Sequence, residues 1–551
     1  MLPARGLALP ARGLVLPARG LDLPARGLVL PARGLDLPAR GLVLPARGLV
    51  LPARGLGLPA PGLVLRARGL DLPKKSERPM SGISAFSRKG DLAPRAAGRL
   101  YRRGMAGPER AHLDLAERFA RAQRRRLLGR RAPWLARAAS GAGLPADLGE
   151  HGAASVRAVA LAAEGAVIDE GLARLAEARA HGGAREVGTP MEALWRLAVE
   201  PEGDARGALA ASLSRSIRDP ALALAGAFAR VLERAAEAGV PEVASEADER
   251  AAKLLIAATE DPVRDVLDWA TVRLGRGRRE KLSWSDSFRA LWNRPAELRL
   301  RPAADPWPAL AGWRARIGAP LEDDVGLEAA PATIGWGSWA VRAGGKARIG
   351  VAAPPGAPRW RLALQSIGRW DALREGGRRA FLPADPASAE LLPSLWPLLL
   401  ADRLFLERGV GAPGVDLDDV RRLALSELLC ARLGAAAVLV RRGFQESRSV
   451  EGARGEAADR FRVALYAPIA PELGLLLCAP WQPSSSEPRA ILAAIGLASE
   501  LRERFDVDWW RNPRVWPELR RIASEAGTAT LPPQPAERAP LDRWIVEKLG
   551  A

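Results

Sequence analysis

The stretch that decides the fold reads LALQSIGRW over residues 362–370. Apolar residues stand at positions 362, 364, 367, 370 and 373, a spacing that is mostly that of a helix. A short β-like run over 347–352 and a Pro/Gly turn over 354–358 come before it. We therefore predict a strand, a turn and then a buried or half-buried helix.

An acidic residue, Glu390, follows about one helical hairpin downstream, in the run SAELLPS over 388–394. Strand, turn, helix and a second helix with an acidic residue form the layout of zinc peptidases of the His-Glu-x-x-His type. In that design two histidines one helical turn apart hold the metal, and the glutamate between them polarises the zinc-bound water. A third ligand, often glutamate, comes from the following helix. With this frame, 363–369 resembles the zinc helix of the thimet-oligopeptidase and oligoendopeptidase family of metallopeptidases.

The chain departs from that family at the residues that carry the chemistry. An active member would read Ala-Leu-His-Glu-x-Gly-His where this chain reads ALQSIGR. Gln365 replaces the first histidine, Ser366 the general base and Arg369 the second histidine, while Gly368 and Glu390 remain. Glutamine is a poor zinc ligand, serine cannot replace a carboxylate base at neutral pH, and arginine repels a divalent metal. The resemblance therefore implies a degenerate site with no catalytic residues, no metal and no other cofactor.

The resemblance covers about 330–545 and includes the helices of the C-terminus. Active members also carry tyrosine or histidine late in the chain, where this sequence has only Tyr466 and no histidine after His181. In the former cleft, Arg369 could act as a cation for a carboxylate, and Gln365 and Ser366 could offer neutral hydrogen bonds. The alternative is a plain structural helix at 362–370 with no such ancestry.

A small β element is predicted beside this helix. The runs 334–341 and 347–351 flank a Gly-Gly pair and predict a β-hairpin, and a second β-like run lies at 461–466. In the resembled peptidases the edge of such a sheet holds the substrate backbone, which implies a peptide-binding edge here. A hairpin that only covers the core is the alternative.

Composition gives a strongly basic chain of 551 residues with a net charge of +19. Such a charge is typical of proteins that bind nucleic acid or an anionic membrane surface. Only 7 of the 82 basic residues are lysine, however, and this skew, with the surplus of Ala, Gly and Pro, indicates nucleotide-composition bias. The best nucleic-acid candidate is a basic patch on a predicted helix over 118–131, made of Arg121, Arg124, Arg125, Arg126, Arg130 and Arg131.

The N-terminus is a tandem repeat. Residues 2–71 repeat the heptapeptide Leu-Pro-Ala-Arg-Gly-Leu-x, and Pro and Gly in every copy exclude a coiled coil and predict disorder. Met80 offers an alternative start, so that 1–79 need not belong to the native protein. The predicted organisation is this repeat over 1–79, a helical region over 80–305 and a pseudo-peptidase region over 306–551.

Further helices are expected over 205–217 and 220–238, with a break between them at Asp219-Pro220. Three more are expected from 262 onwards, over 391–406 and over 417–442. The helix from 262 places Asp265 and Asp268 on one face, either as an acid/base pair or, more commonly, as a solvated face.

Two cysteines in a chain of this length favour a reducing compartment, and we expect a cytoplasmic protein. His112, His151 and His181 have no partner at ligand spacing, and no run of 18 uncharged apolar residues suggests a membrane span.

The sequence thus predicts a mostly α protein with a small β element. The predicted function is that of a catalytically inactive, metallopeptidase-like protein that binds a peptide or partner protein, with Gln365, Arg369 and Glu390 converging on one cleft. One alternative is a nucleic-acid-binding protein that uses the basic patch. The other is an active peptidase or another hydrolase with a non-standard site.

Overall fold

The computed structural model describes single residues before position 203 and longer segments from that residue onwards. All of the described residues belong to one compact unit, Leu92–Ala551, whereas a second unit, Met1–Asp91, lies outside them. The heptapeptide repeat and Met80 belong to that second unit, and the three histidines, although in the first unit, also lie outside the described residues. The described residues are 203–237, 245–273, 283–292, 305–322, 325–330, 337–343, 346–353, 355–376, 385–412, 414–447, 449–478, 487–525, 531 and 538–550, with single residues at 118, 121, 124, 125, 194, 196, 197 and 200.

Most of this part of the chain is helical, which confirms the mostly α fold class. The elements are α1 Gly203–Glu237, α2 Glu246–Ala258, α3 Glu260–Arg273, α4 Trp284–Trp292, α5 Trp307–Arg316, β1 Val325–Ala330, β2 Gly337–Ala343, β3 Lys346–Ala352, α6 Ala357–Gly376, α7 Pro386–Ala389, α8 Leu391–Leu395, a 3-10 segment Trp396–Ala401, a π segment Phe405–Gly409, α9 Leu417–Ser447, α10 Val450–Leu465, α11 Pro471–Leu477, α12 Glu487–Phe505, a 3-10 turn Trp509–Arg511, α13 Val515–Glu525 and α14 Arg538–Leu549.

The three strands form one sheet in the order β1-β3-β2. β2 and β3 are antiparallel, with Gly337 opposite Ala352, which confirms the hairpin predicted near 334–352. β1 pairs with β3 in parallel, with Val325 opposite Ala347, and was not predicted. Ile349 and Val351 of β3 are fully buried, and α6 packs against β2 and β3.

The helix that contains 362–370 is α6, and it is buried along most of its length. Leu364, Ile367 and Trp370 are completely buried, as the apolar spacing predicted. One helical face meets the sheet and the others meet α8, α13 and the 3-10 segment. This burial confirms the predicted buried helix.

The long helix α9 lies at the centre of the core and contacts α2, α4, α10, α12 and α14. Its start is capped, because the Asp419 backbone N–H donates to Oδ1 of Asp416 at 2.8 Å. It is the one helix among the described residues that is long and apolar enough to span a membrane, and 94% of the qualifying window is buried within the protein. The predicted helix over 417–442 is thus confirmed and continues to Ser447.

One hydrophobic core includes residues from both sides of the predicted boundary at 305/306, among them Leu291 and Trp307. The division at that position stays a prediction of the sequence.

A buried ion pair joins α5 to α6. Arg314 donates to both carboxylate oxygens of Asp371, at 2.9 and 2.7 Å, and its guanidinium lies 4.3 Å from the ring centre of Trp516 on α13. Trp396 of the 3-10 segment donates to the same aspartate at 3.2 Å. Four elements are therefore fixed by one charged pair.

The strand predicted at 461–466 is wrong, because these residues end helix α10. Alternating residues suggested a strand, but Ala457, Phe461 and Ala464 are all fully buried, three and four residues apart, as on one helical face. Tyr466 then ends the helix in the left-handed region, with φ of 56°.

The break predicted at Asp219-Pro220 is also wrong, because α1 is continuous from Gly203 to Glu237. Ile217, Ala221 and Ala225 lie buried on one face across that position. Burial of this face on both sides of the proline outweighs the loss of one backbone hydrogen bond.

The segment 391–406, predicted as one apolar helix interrupted by its prolines, is divided into different helical types. α8 gives way to a 3-10 segment at Trp396, one residue before Pro397, and a π segment follows from Phe405. Proline removes a backbone donor and crowds the preceding turn, which explains the change of helical type.

Candidate functional site

The predicted site lies where α6 meets the junction of α7 and α8. Arg369 of α6 donates to Oε2 of Glu390 at 2.8 Å, and Glu390 is the residue between α7 and α8. Arg369 also contacts the hydroxyl of Ser338 on β2. The side chains of Arg369 and Glu390 are 28% and 18% exposed, so this pair reaches the surface.

Gly368 explains how the two elements come so close. A Cβ at this position would lie 2.5 Å from the backbone nitrogen of Pro393 and 2.6 Å from the carbonyl of Leu392. No real Cβ tolerates such distances, so only glycine allows α8 to lie directly on α6. This contact brings Glu390 within reach of Arg369, the residue that follows Gly368.

Gln365 points to a different carboxylate. Its Nε2 donates to Oε1 of Glu487, the first residue of α12, at 3.5 Å. Gln365, Arg369 and Glu390 thus occupy one charged region, although Gln365 and Glu390 are bound through different partners.

Ser366 takes no part in this region. It is completely buried, and its hydroxyl donates to the carbonyl oxygen of Ala363 within the same helix, at 2.9 Å. The expectation that Ser366 offers a hydrogen bond to a ligand is therefore not supported by its position, because its hydroxyl is held by the backbone and shielded from solvent.

A second arginine completes the network from within the core. Arg361, one turn before Gln365, donates to Glu427 of α9 and to Glu487 of α12, both at 3.0 Å. Arg361, Glu427 and Glu487 are each less than 10% exposed. We call the five ionisable residues the charged cluster: Arg361, Arg369, Glu390, Glu427 and Glu487.

Sequence reasoning missed the three buried members of this cluster. Glu427 lies inside the apolar run of α9, and Arg361 lies one helical turn from Gln365. Buried charges need partners, so both positions could have indicated an ion pair from the sequence alone. Glu487 begins a helix after a polar segment, a place where acidic residues are common and carry no special signal.

Burial dominates the electrostatics of the cluster. Desolvation raises the pKa of Glu427 to about 7, although the nearby Arg361 guanidinium opposes this shift. Desolvation likewise raises the pKa of Glu487, again against Arg361, and the charge of Glu390 adds to the rise. Glu390 raises and Arg369 lowers the pKa of Glu487, so the surface pair is electrostatically coupled to this buried residue.

The residues present do not fit the zinc ion of the resembled peptidases. Positions 365, 366 and 369 offer an amide, a buried hydroxyl and a cation, and Glu390 is already bound by Arg369. Among the described residues, no group of three His, Cys, Asp or Glu side chains is arranged to hold a metal ion.

β2 is an edge strand of the described sheet, next to Arg369. The opposite edge, β1, is covered at Glu328, whose carbonyl accepts from the Trp307 indole at 3.1 Å. The carboxylate of Glu328 is bound by Arg124 and Arg348, each at 2.6 Å.

The basic patch is only partly described. Arg121 and Arg125 are exposed, whereas Arg124 is half-buried and paired with Glu328; Arg126, Arg130 and Arg131 lie outside the described residues. Binding of nucleic acid by the basic patch stays a prediction, and one of its arginines, Arg124, already pairs with a carboxylate of the protein.

The aspartates of α3 lie on an exposed face. Asp265 and Asp268 are both exposed, and Arg264 contacts Asp261 one turn earlier in the helix. α3 begins at Glu260, slightly before the predicted start at 262. Their placement is that of a solvated face.

Both cysteines are free and only partly exposed. Burial of the thiol raises the pKa of Cys430 and of Cys478 to about 12, so both are neutral thiols at physiological pH. Neither has the thiolate character that nucleophilic chemistry needs.

Comparisons with known proteins give little similarity. No protein-family profile matches the sequence, and no curated protein matches it. Among solved structures, metallocarboxypeptidase 1 of Trypanosoma cruzi aligns with a TM-score of 0.37 and 12% identity, over 79% of this chain and 99% of that one. Because this TM-score is low, the site is interpreted from the residues of this chain alone.

Proposed function

We propose that this protein binds a peptide or a segment of a partner protein, without cleaving it, where the edge of β2 meets Arg369 and Glu390. The observation that carries the proposal is the Arg369–Glu390 pair. This pair is partly exposed, contacts the edge strand through Ser338 and is electrostatically coupled to the buried members of the charged cluster.

An extended peptide is the ligand that suits an edge strand. The backbone groups on the open side of such a strand can pair with an added strand, and neighbouring side chains then read the ligand. Arg369 and Glu390 offer a donor and an acceptor at that edge. A non-catalytic role is supported by the chemistry of the site, because Ser366 is held by the backbone and Glu390 by Arg369.

A quenched-peptide assay, combined with zinc analysis and a binding assay, tests this function. The probe is a random library of peptides of about eight residues, long enough to pair along one strand. We expect retention of intact peptides and a loss of binding of about tenfold or more when alternate backbone nitrogens of the peptide are methylated, since methylation removes the donors of a strand pair. Stoichiometric zinc together with cleavage would refute the proposal, as would the absence of binding.

A matched pair of variants locates the site. Arg369→Gln removes the side chain that holds Glu390 and the Ser338 hydroxyl beside β2, and is expected to weaken the binding of peptides that carry no amino group. Arg460→Gln removes an arginine of α10 that pairs with Glu456 at 2.9 Å and should leave binding unchanged. Equal effects of the two variants would place the peptide elsewhere.

A further inference from the structure

One oxygen of the charged cluster has no hydrogen-bond partner in the part of the chain that the structure describes. Oε1 of Glu487 accepts from Arg361 and Gln365, but Oε2 of the same carboxylate accepts from none, and the residue is only 3% exposed. Buried carboxylate oxygens normally accept a hydrogen bond, so an oxygen without one is a candidate acceptor for a donor on a ligand.

The charges of the cluster decide which kind of ligand would suit this oxygen. The carboxylates of Glu390, Glu427 and Glu487 outnumber the guanidinium groups of Arg361 and Arg369 by one. A carboxylate ligand at Arg369 would increase this negative excess in a site of low polarity, whereas one positive charge would cancel it.

We propose that the cluster binds the primary ammonium group of a peptide, either its amino terminus or a lysine side chain, between Glu487 and Glu390. This inference rests on the proposed peptide-binding function and specifies its ligand. An ammonium group brings a single positive charge and three hydrogen-bond donors, and so satisfies both the free oxygen and the charge balance.

The position of the cluster provides a route for that group. Arg369 and Glu390 are the exposed end of the network, and Arg369 touches Ser338 of β2. A peptide laid along the edge of β2 would therefore bring its charged group beside Glu390, whose charge acts on the buried Glu487.

Protons compete with the ammonium group for the same negative charge. The groups that face the site are Arg361, Gln365 and Arg369 of α6, Glu427 and Cys430 of α9, Glu390 at the α7–α8 junction and Glu487 of α12. Burial raises the pKa of Glu427 to about 7, so this carboxylate takes up a proton as the pH falls below about 7, and burial raises the pKa of Glu487 as well. Binding of the ammonium form is thus expected to strengthen as the pH rises through 7.

The experiment compares three forms of the library of about eight residues, measured with the full chain. One form has a free amino terminus and no lysine, the second is acetylated and lacks lysine, and the third is acetylated and contains lysine. We expect the two forms with an amine to bind at least about tenfold more tightly than the form without one. Equal affinity of all three forms would overturn the ammonium inference and leave the peptide-binding function standing, and the absence of any binding would overturn both.

The pH dependence distinguishes the two sources of the amine. Affinity for the free amino terminus should fall again above about pH 8, where an α-amine loses its proton, whereas affinity for the lysine form should persist to about pH 10. An affinity that does not change between pH 6 and 8 would contradict the role of the carboxylates.

A substitution tests the named residue. Glu487→Gln keeps the size of the side chain and removes its charge, and is expected to reduce the preference for amines to about twofold or less. Glu472→Gln is the matched control, since Glu472 is a buried glutamate of α11 bound to Arg454 at 2.7 Å, and it should keep the preference. Circular dichroism checks the fold of both variants, and the library comparison with the native chain decides the question if Glu487→Gln does not fold.

Discussion

At the scale of single residues, the site depends on a glycine. Gly368 has no side chain to separate α6 from α8, and the Arg369–Glu390 pair forms because the two helices lie so close. In the resemblance to peptidases that the sequence predicts, this glycine is the position within 365–369 that matches the pattern. Its packing role accounts for its presence without any catalytic function.

We predict that Gly368→Ala destabilises the fold by about 1–3 kcal/mol or more, because the added methyl group meets backbone atoms that cannot move aside. Gly496→Ala, in α12, is the control, since no atom lies within 4 Å of its added Cβ. That control should be neutral or stabilising by about 1 kcal/mol, as alanine is the better helix former. Urea unfolding measures both, and equal stability of the two variants would show that the close contact at Gly368 is not rigid.

A buried glutamate makes stability depend on pH. Burial raises the pKa of Glu427 to about 7 from the ordinary value of 4.5, so the folded protein binds this proton more tightly than the unfolded chain. The stability gained from the proton is complete below pH 4.5, is lost as the pH rises through 7, and is absent above it. We predict that Glu427→Gln flattens this dependence and raises the free energy of unfolding at pH 8 by about 3 kcal/mol at most.

Urea unfolding at pH 5 and pH 8 tests the sign of this effect. Glu472→Gln controls for the loss of a buried carboxylate. A variant that loses stability at pH 8 relative to the native chain would show that the ion pair with Arg361 outweighs the desolvation of Glu427.

At the scale of elements, sequence patterns predicted what repeats along a helix or strand and missed what depends on tertiary burial. The helix around 362–370 and the β2–β3 hairpin followed from local spacing. The strand predicted at 461–466 is part of a helix instead, because burial of the helical face that contains Ala457 and Phe461 outweighs the short alternation of polar and apolar residues. Convergence of Gln365, Arg369 and Glu390 on one cleft was predicted from the sequence, whereas the direct Arg369–Glu390 pair was not. Glu427 and Glu487 reach Arg361 only through the packing of α9 and α12 on α6.

The continuous helix α1 gives a prediction at this scale. Pro220 lies in its interior, where it lacks the backbone donor of other residues, so Pro220→Ala should stabilise the protein by about 1–3 kcal/mol. Pro517→Ala is the control and should change stability less, because Pro517 lies in the first turn of α13, where proline is tolerated. Thermal unfolding compares the two; a destabilised Pro220→Ala variant would show that α1 needs the rigidity of its proline.

At the scale of the whole molecule, α5, α6, α13 and the 3-10 segment meet at the Arg314–Asp371 pair. We predict that Asp371→Asn costs about 3–5 kcal/mol, because it leaves the guanidinium of Arg314 buried beside a neutral partner. Burial lowers the pKa of Arg314, and the charge and hydrogen bonds of Asp371 oppose this shift. Asp542→Asn, in an exposed pair with Arg538, should change the free energy of unfolding by about 1 kcal/mol or less. A similar cost for both would mean that solvent reaches Arg314.

The apolar helix α9 has a consequence for the order in which the protein is made. α12 and α14, which cover part of it, leave the ribosome only after α9 has been synthesised. A nascent chain that ends near residue 480 therefore carries a membrane-like segment without its later cover. We expect such ribosome-bound chains to expose more of α9 to factors that bind hydrophobic segments than the complete, folded chain does.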